Sequence, residues 1–261
     1  MTEANAFPPE TLEGWYALHQ IFSVDRAALR ARDAATKRAV VCAAAEAFDG
    51  LGAGDGGWSA VAELIGSTGE VMFMHVRPSI DALSDVARRL ARLELMDVLR
   101  PTFSFLSITE VGLYQLAAHG VDDPKKQERI RAESESPHVQ RRLYPALPPD
   151  MPYVSFYPMS KRRDVEQNWY TLPLIERSRL MQSHGLTGRR YAGRVLQIIT
   201  GAIGFNTWEW GVTLFAKDPL EFKKLVTEMR FDEASAKYAE FGEFFVGTVV
   251  QPAKWLESLT D

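Results

Sequence analysis

Residues Tyr153–Arg163 read YVSFYPMSKRR. If this stretch is extended, Tyr153, Ser155, Tyr157, Met159 and Lys161 share one face. Val154, Phe156 and Pro158 share the other. It opens a run of elements that decides the fold class. After the strand Tyr153–Met159, a helix is predicted over Pro173–His184, stopped by Gly185. Strands follow at Arg194–Gly201 and Glu209–Phe215, the second with Trp210, Val212 and Leu214 on one face. Asp218 and Pro219 open a helix as N-cap and first residue, running to about Tyr238. Phe244–Val250 is the last strand. The order is β-α-β-β-α-β, that of a ferredoxin-like α+β unit.

Working back toward the N-terminus, a looser version of that order appears. Trp15–Val24 reads as a strand and Ala34–Phe48 as a helix. Asp49–Gly57 is a glycine-rich loop, and Glu70–Val76 a strand. A helix runs from Pro78 to about Leu95, and Thr102–Val111 is a strand. Trp58–Gly66 stays open between strand and helix. Gly120–Pro152 is dense in charge and proline, which reads as a connector with one helical turn near Lys125–Ala132. The fold class is therefore α+β: two tandem ferredoxin-like units, 1–120 and 153–261, joined by a connector over 121–152.

Composition fits this. The chain has 261 residues, 46% hydrophobic and 25% charged, long enough for one large domain or two small ones. A net charge of −4 gives no general attraction to nucleic acid or anionic lipid. Cys42 is the only cysteine, so neither an internal disulfide nor a four-cysteine metal site can form. The start MTEANAFPPE has no basic-then-apolar pattern, and no apolar run reaches the roughly 18–20 residues that span a bilayer. A cytoplasmic protein is expected, without membrane or nucleic-acid partners.

Four positions bear on chemistry, each with two readings. Tyr157 either packs under a helix, with Lys161 solvated past the strand end, or lines a working surface with it. His184 lies one turn beyond Leu180 and Met181. It is either a dipole partner at a helix C-terminus or an axial ligand to a haem iron. Gln197 is the one polar side chain in VLQII and either bonds nearby backbone or faces a polar ligand. Ser235, in RFDEAS, either bonds its own helix or meets a ligand. The histidines His19, His75, His119, His138 and His184 form no zinc spacing. No GxSxG, phosphate loop or dinucleotide fingerprint occurs.

These residues also carry a resemblance. YPMSK at Tyr157–Lys161, NWYTLP at Asn168–Pro173, ERSRLMQSHG at Glu176–Gly185 and GRRYAG at Gly188–Gly193 resemble the chlorite dismutase-like superfamily. QIITG at Gln197–Gly201, WEWGVTLF at Trp208–Phe215, FKKLVTEMRFDEASAKYAEFG at Phe222–Gly242 and FFVG at Phe244–Gly247 continue it. Within that superfamily the match is to the coproheme decarboxylases of the Gram-positive type. It covers about a third of the chain, in unbroken register from Tyr157 to Ser235; the first half matches only in size and element order.

The resemblance implies a dimeric α+β barrel, assembled as a homopentamer, with porphyrin in the C-terminal unit. It implies peroxide-dependent decarboxylation of two propionates of iron coproporphyrin III to give haem b. His184 matches the proximal iron ligand and Tyr157 the catalytic tyrosine, relaying one oxidising equivalent as a phenoxyl radical. Tyr157, Pro158, Met159, Ser160 and Lys161 match the run that contacts substrate. Gln197 matches a distal glutamine and Ser235 a propionate-binding serine. The family's arginine before the strand matches Arg142, with Arg141 the other choice. The upstream ferrochelatase is an implied transient partner. Alternatives are a chlorite dismutase or peroxidase, or a non-catalytic haem carrier. Chlorite dismutases carry a distal arginine and actinobacterial coproheme decarboxylases a distal histidine. The neutral Gln197 points away from both.

Overall fold

The computed structural model describes residues 7–51, 56–119 and 124–260. The middle of the predicted glycine loop, 52–55, and the start of the predicted connector, 120–123, lie outside the described residues. The first half runs β1 (Thr11–Val24), α1 (Arg26–Ala31), α2 (Ala34–Asp49), β2 (Trp58–Leu64), β3 (Val71–Arg77), α3 (Ile80–Ala91) and β4 (Leu99–Gly112). A 3₁₀ segment, Tyr114–His119, then leads to α4 (Lys126–Ser134) and α5 (Pro137–Leu143). The second half has β5 (Tyr153–Lys161), α6 (Leu174–Arg189), β6 (Val195–Gly201), β7 (Trp210–Ala216), α7 (Leu220–Phe231), α8 (Glu233–Tyr238), β8 (Ala239–Phe241), β9 (Phe245–Val250) and α9 (Pro252–Glu257).

All nine strands join one antiparallel sheet in the order β7-β6-β4-β1-β3-β2-β9-β5-β8. Because β7 also pairs with β5, the sheet returns on itself. The halves meet at two seams, β4 with β6 and β2 with β9. Gly247 is required at the second: a Cβ there would lie 1.9 Å from the Glu63 carbonyl oxygen.

Period-two alternation sorts side chains to two faces. The inner face packs Ile21, Met72, Met74, Phe105, Val154, Phe156 and Phe245 into one core. The outer face of the first half is covered by helices, with Val40, Phe48, Val86 and Leu90 meeting Phe22 and Phe73. The outer face of the second half carries Tyr157, Val195, Val212 and Leu214, which cluster with Phe222 and Leu225 of α7. No helix among the described residues is long and apolar enough to cross a membrane.

Several expectations are corrected. The stretch left open at Trp58–Gly66 holds the strand Trp58–Leu64, and the connector is more helical than the one turn expected. The helix after β5 does not stop at Gly185 but continues to Arg189. Gly185 is not among the glycines with positive φ, so it serves no left-handed cap, and a Cβ there would meet nothing within 4 Å. The helix predicted to reach Tyr238 breaks at Asp232, which is extended (φ −70, ψ 134) and caps α8 by accepting from the Ser235 N–H.

Candidate functional site

The alternation read in YVSFYPMSK holds: Tyr153, Tyr157 and Met159 join the outer cluster, Val154 and Phe156 the inner core. Tyr157 is buried, its ring stacked on Phe244 at 4.3 Å and 5.9 Å from Phe241. The Arg230 guanidinium lies 4.1 Å over the Phe241 ring. Burial pushes the Tyr157 phenol well above its ordinary pKa, only partly opposed by the Arg230 charge. Tyr157 is therefore a neutral phenol at neutral pH, a group that releases a proton together with an electron.

β7 lies between β5 and β6, so Tyr157, Val212 and Ile199 form one row across three strands. Gln197 shares the face of Val195 and Ile199, one pair further along. It is half-buried, and its amide has no hydrogen bond to neighbouring backbone among the described residues. The reading in which it bonds local backbone is set aside. The floor is thus apolar, with a phenol on one side strand and an amide on the other.

Above this floor the second half differs from the first. In the first half α3 rests directly on β1 and β3; α6 instead packs on the Tyr114–His119 segment, α7 and α8. His184 lies on α6, five residues before its end, which removes the helix-terminus reading. Its Nδ1 is 2.8 Å from Asp232 Oδ2, whose side chain is 3% exposed. Asp232 also accepts the Ser235 N–H at 3.3 Å. A carboxylate on Nδ1 fixes the tautomer and leaves the Nε2 lone pair for a metal.

Lys161 is not solvated past the strand end. It is 9% exposed, with Nζ 4.1 Å from the Trp169 ring centroid and donating to the Ala234 carbonyl at 3.3 Å. Burial pulls its pKa down to about 8, while Asp232 and Glu209 act to raise it. Glu209 accepts the Lys161 backbone N–H at 2.8 Å. Trp169 packs with Leu180 and Ala234, and Tyr114, Met181 and Tyr238 surround it.

Of the remaining predicted residues, Ser160 uses its hydroxyl to accept the Glu209 N–H at 3.2 Å. The Pro158 carbonyl accepts the Gly242 N–H at 2.9 Å. Ser235 is buried in the first turn of α8 and does not bond its own helix through its hydroxyl. Arg142 is half-buried on α5 without an ion pair among the described residues, and burial lowers its pKa; Arg141 is exposed. Tyr157, Met159 and Gln197 thus share one face, and His184, Lys161 and Ser235 gather around Asp232. Sequence reasoning missed Asp232, Trp169, Phe244 and Arg230. Asp232 alone had a readable signal: an aspartate three residues before Ser235 is an N-cap spacing.

The chain matches the family model described as Chlorite dismutase over residues 35–250. A curated relative from Staphylococcus carnosus (strain TM300), named coproheme decarboxylase, is 43% identical over 252 residues, covering 95% of this chain and 96% of the relative. A solved structure described as a novel heme-binding protein from Thermus thermophilus superimposes with a TM-score of 0.85 at 38% identity, covering 97% of each chain. A mutant chlorite dismutase from Candidatus Nitrospira defluvii shares the fold, with a TM-score of 0.75 at 17% identity over 96% of this chain and 97% of that one.

Proposed function

The chain belongs to the chlorite dismutase family, and on that premise we propose that it decarboxylates two propionates of iron coproporphyrin III to vinyl groups, giving haem b. The observation that carries this is the histidine–carboxylate pair His184–Asp232, set on α6 and at the α7–α8 break, beside a sheet face that bears Tyr157 and Gln197. The 43% identity to a coproheme decarboxylase supports the same reading.

The residues present fit the substrate. Its four propionates need cations, and Arg142 and Arg230 have no carboxylate partner among the described residues. His184 holds the iron through Nε2, and Asp232 keeps the Nδ1 proton in place. Bound iron supplies the peroxide-driven redox chemistry. Gln197 offers an uncharged amide donor on the sheet side. Tyr157 gives up a hydrogen atom from its hydroxyl, then takes one from the β-carbon of a propionate. Each cycle turns one propionate, one hydrogen peroxide and one proton into a vinyl group, carbon dioxide and two waters. Ser235 binds a propionate. Met159 lines the face with Tyr157, while Pro158, Ser160 and Lys161 complete the strand that presents it.

The two-unit reading, tandem ferredoxin-like units closed into an α+β barrel, is supported by the strand orders β4-β1-β3-β2 and β6-β7-β5-β9. A homopentamer is part of the proposal; apolar Ile203 and Phe205, 60% and 46% exposed, are suited to a subunit contact, and light scattering gives the number. A cytoplasmic location and a transient encounter with the upstream ferrochelatase complete the proposal.

Titrating the protein with ferric coproporphyrin and then peroxide is the test. Mass spectrometry is expected to show stepwise loss of two carboxyl groups. Unreacted tetrapropionate, or oxygen release from chlorite at an electrode instead, overturns it.

A further inference from the structure

Two oxidisable aromatic groups flank the place where the iron is held. Tyr157 lies on the sheet face. Trp169, 1% exposed, lies on the helix side, packed with Leu180, one turn before His184, and with Ala234. Only one of them is useful to the reaction proposed above, on which this inference rests. Beyond Trp169, Tyr238 and Tyr114 stand at ring-centroid separations of 5.6 and 6.5 Å, both half-buried. An electron hole on Trp169 therefore has onward hosts leading away from the substrate.

The Lys161 ammonium sits 4.1 Å from the centre of the Trp169 ring. A cation on a π face stabilises the neutral ring. By the same electrostatics it opposes loss of an electron, because the indole radical cation would face a like charge in a buried setting. The neighbouring carboxylates favour the charged ammonium but make their hydrogen bonds and close ion pairs elsewhere: Asp232 with His184 Nδ1 and the Ser235 N–H, Glu209 with the Lys161 N–H and, at 3.9 Å, Arg163. Among the described residues Tyr157 has no such cation on its own ring, which packs with Phe244 and Phe241, and Arg230 lies over Phe241.

We propose that Lys161 is a positioning residue for the oxidising equivalent: its ammonium over Trp169 keeps that indole reduced, so that Tyr157 is the residue oxidised. Without the charge, Trp169 gives one electron to the peroxide-oxidised site. Loss of a second electron and two protons, with entry of one water, then leaves a hydroxytryptophan. Peroxide is the terminal oxidant.

The test compares Lys161→Met and Lys161→Gln, which remove the charge, with Lys161→Arg, which keeps it. In one arm the porphyrin-free full chain is exposed to photogenerated ruthenium(III) tris-bipyridine, and oxygen addition at Trp169 is mapped by peptide mass spectrometry. In the other the coproporphyrin-loaded protein is treated with peroxide, and radicals are read by electron paramagnetic resonance. Both neutral variants are expected to raise Trp169 oxidation at least tenfold in both arms, with a tryptophan signal replacing the tyrosyl one. Lys161→Arg should stay within twofold of wild type. Near-UV circular dichroism selects the neutral variant that retains native packing. Unchanged Trp169 oxidation in a folded neutral variant overturns the proposal, as does an equal rise in Lys161→Arg. If wild type fails to decarboxylate while the porphyrin-free arm responds, the functional reading falls and the guard stands.

Discussion

At the scale of single residues, what matters is which proton each group holds. Tyr157 is kept neutral by burial, so its value is a transferable hydrogen atom rather than a phenolate. Tyr157→Phe is expected to bind ferric coproporphyrin within about threefold of wild type and lose at least about 100-fold in turnover. Full activity in that variant would sink the assignment. Asp232 acts through His184. Removing such a partner typically costs ~10–100-fold in metal affinity or activity. Asp232→Asn should weaken the iron–histidine bond, seen as a lowered stretching frequency by resonance Raman, with coproporphyrin still bound. An unchanged frequency would remove Asp232 from this role.

At the scale of elements, α6 and the α7–α8 break are the decisive pieces. Gly185 invited a helix stop, yet α6 runs on because its last turns pack against α7, with Gly188 beside Met229 and Arg190 reaching Glu228 at 3.4 Å. Tertiary packing overrides a glycine penalty of about 1 kcal/mol. Since a Cβ at Gly185 meets nothing, Gly185→Ala is expected to stabilise the fold by ~0.5–1 kcal/mol. A denaturant midpoint below wild type would show that the glycine has another duty. The break at Asp232 has a different cause: the carboxylate bonds both His184 and the Ser235 N–H, which a continuous helix would not permit.

At the scale of the whole molecule, closing the sheet buries polar groups that then govern stability. His19 is enclosed within it, stacked on Phe156 at 4.1 Å and bonded to Thr213 at 3.0 Å. His75 is fully buried against Ser59 at 2.8 Å. Burial lowers both pKa values to about 3, and for His75 the Arg77 charge adds to it. The folded state thus holds fewer protons than the unfolded one between pH 6.5 and about 3. Stability is full above pH 6.5 and falls on acidification, by up to ~1.4 kcal/mol per pH unit for each histidine. The His19→Gln, His75→Gln double variant should flatten the fall in Tm over that window; an unchanged slope assigns it to other groups. Gly247→Ala places a methyl against the Glu63 carbonyl at the β2–β9 seam and is expected to cost ~1–3 kcal/mol or more. A wild-type Tm would mean that the seam yields freely.

By itself the sequence determined the strand periodicity, the alternation that sorts Tyr157 from Val154 and Phe156, and the family motifs from Tyr157 to Ser235. These are local: period-two alternation and contiguous runs are visible along one chain. Only the tertiary structure decided that Lys161 is buried over Trp169, that His184 is held by Asp232, and that α6 passes Gly185. Each depends on groups far apart in sequence: Lys161 and Ala234, His184 and Asp232, Gly188 and Met229. Burial, partner choice and helix length at those points are set by what the closed sheet and its helices bring within a few ångströms. No single stretch of the chain carries that information.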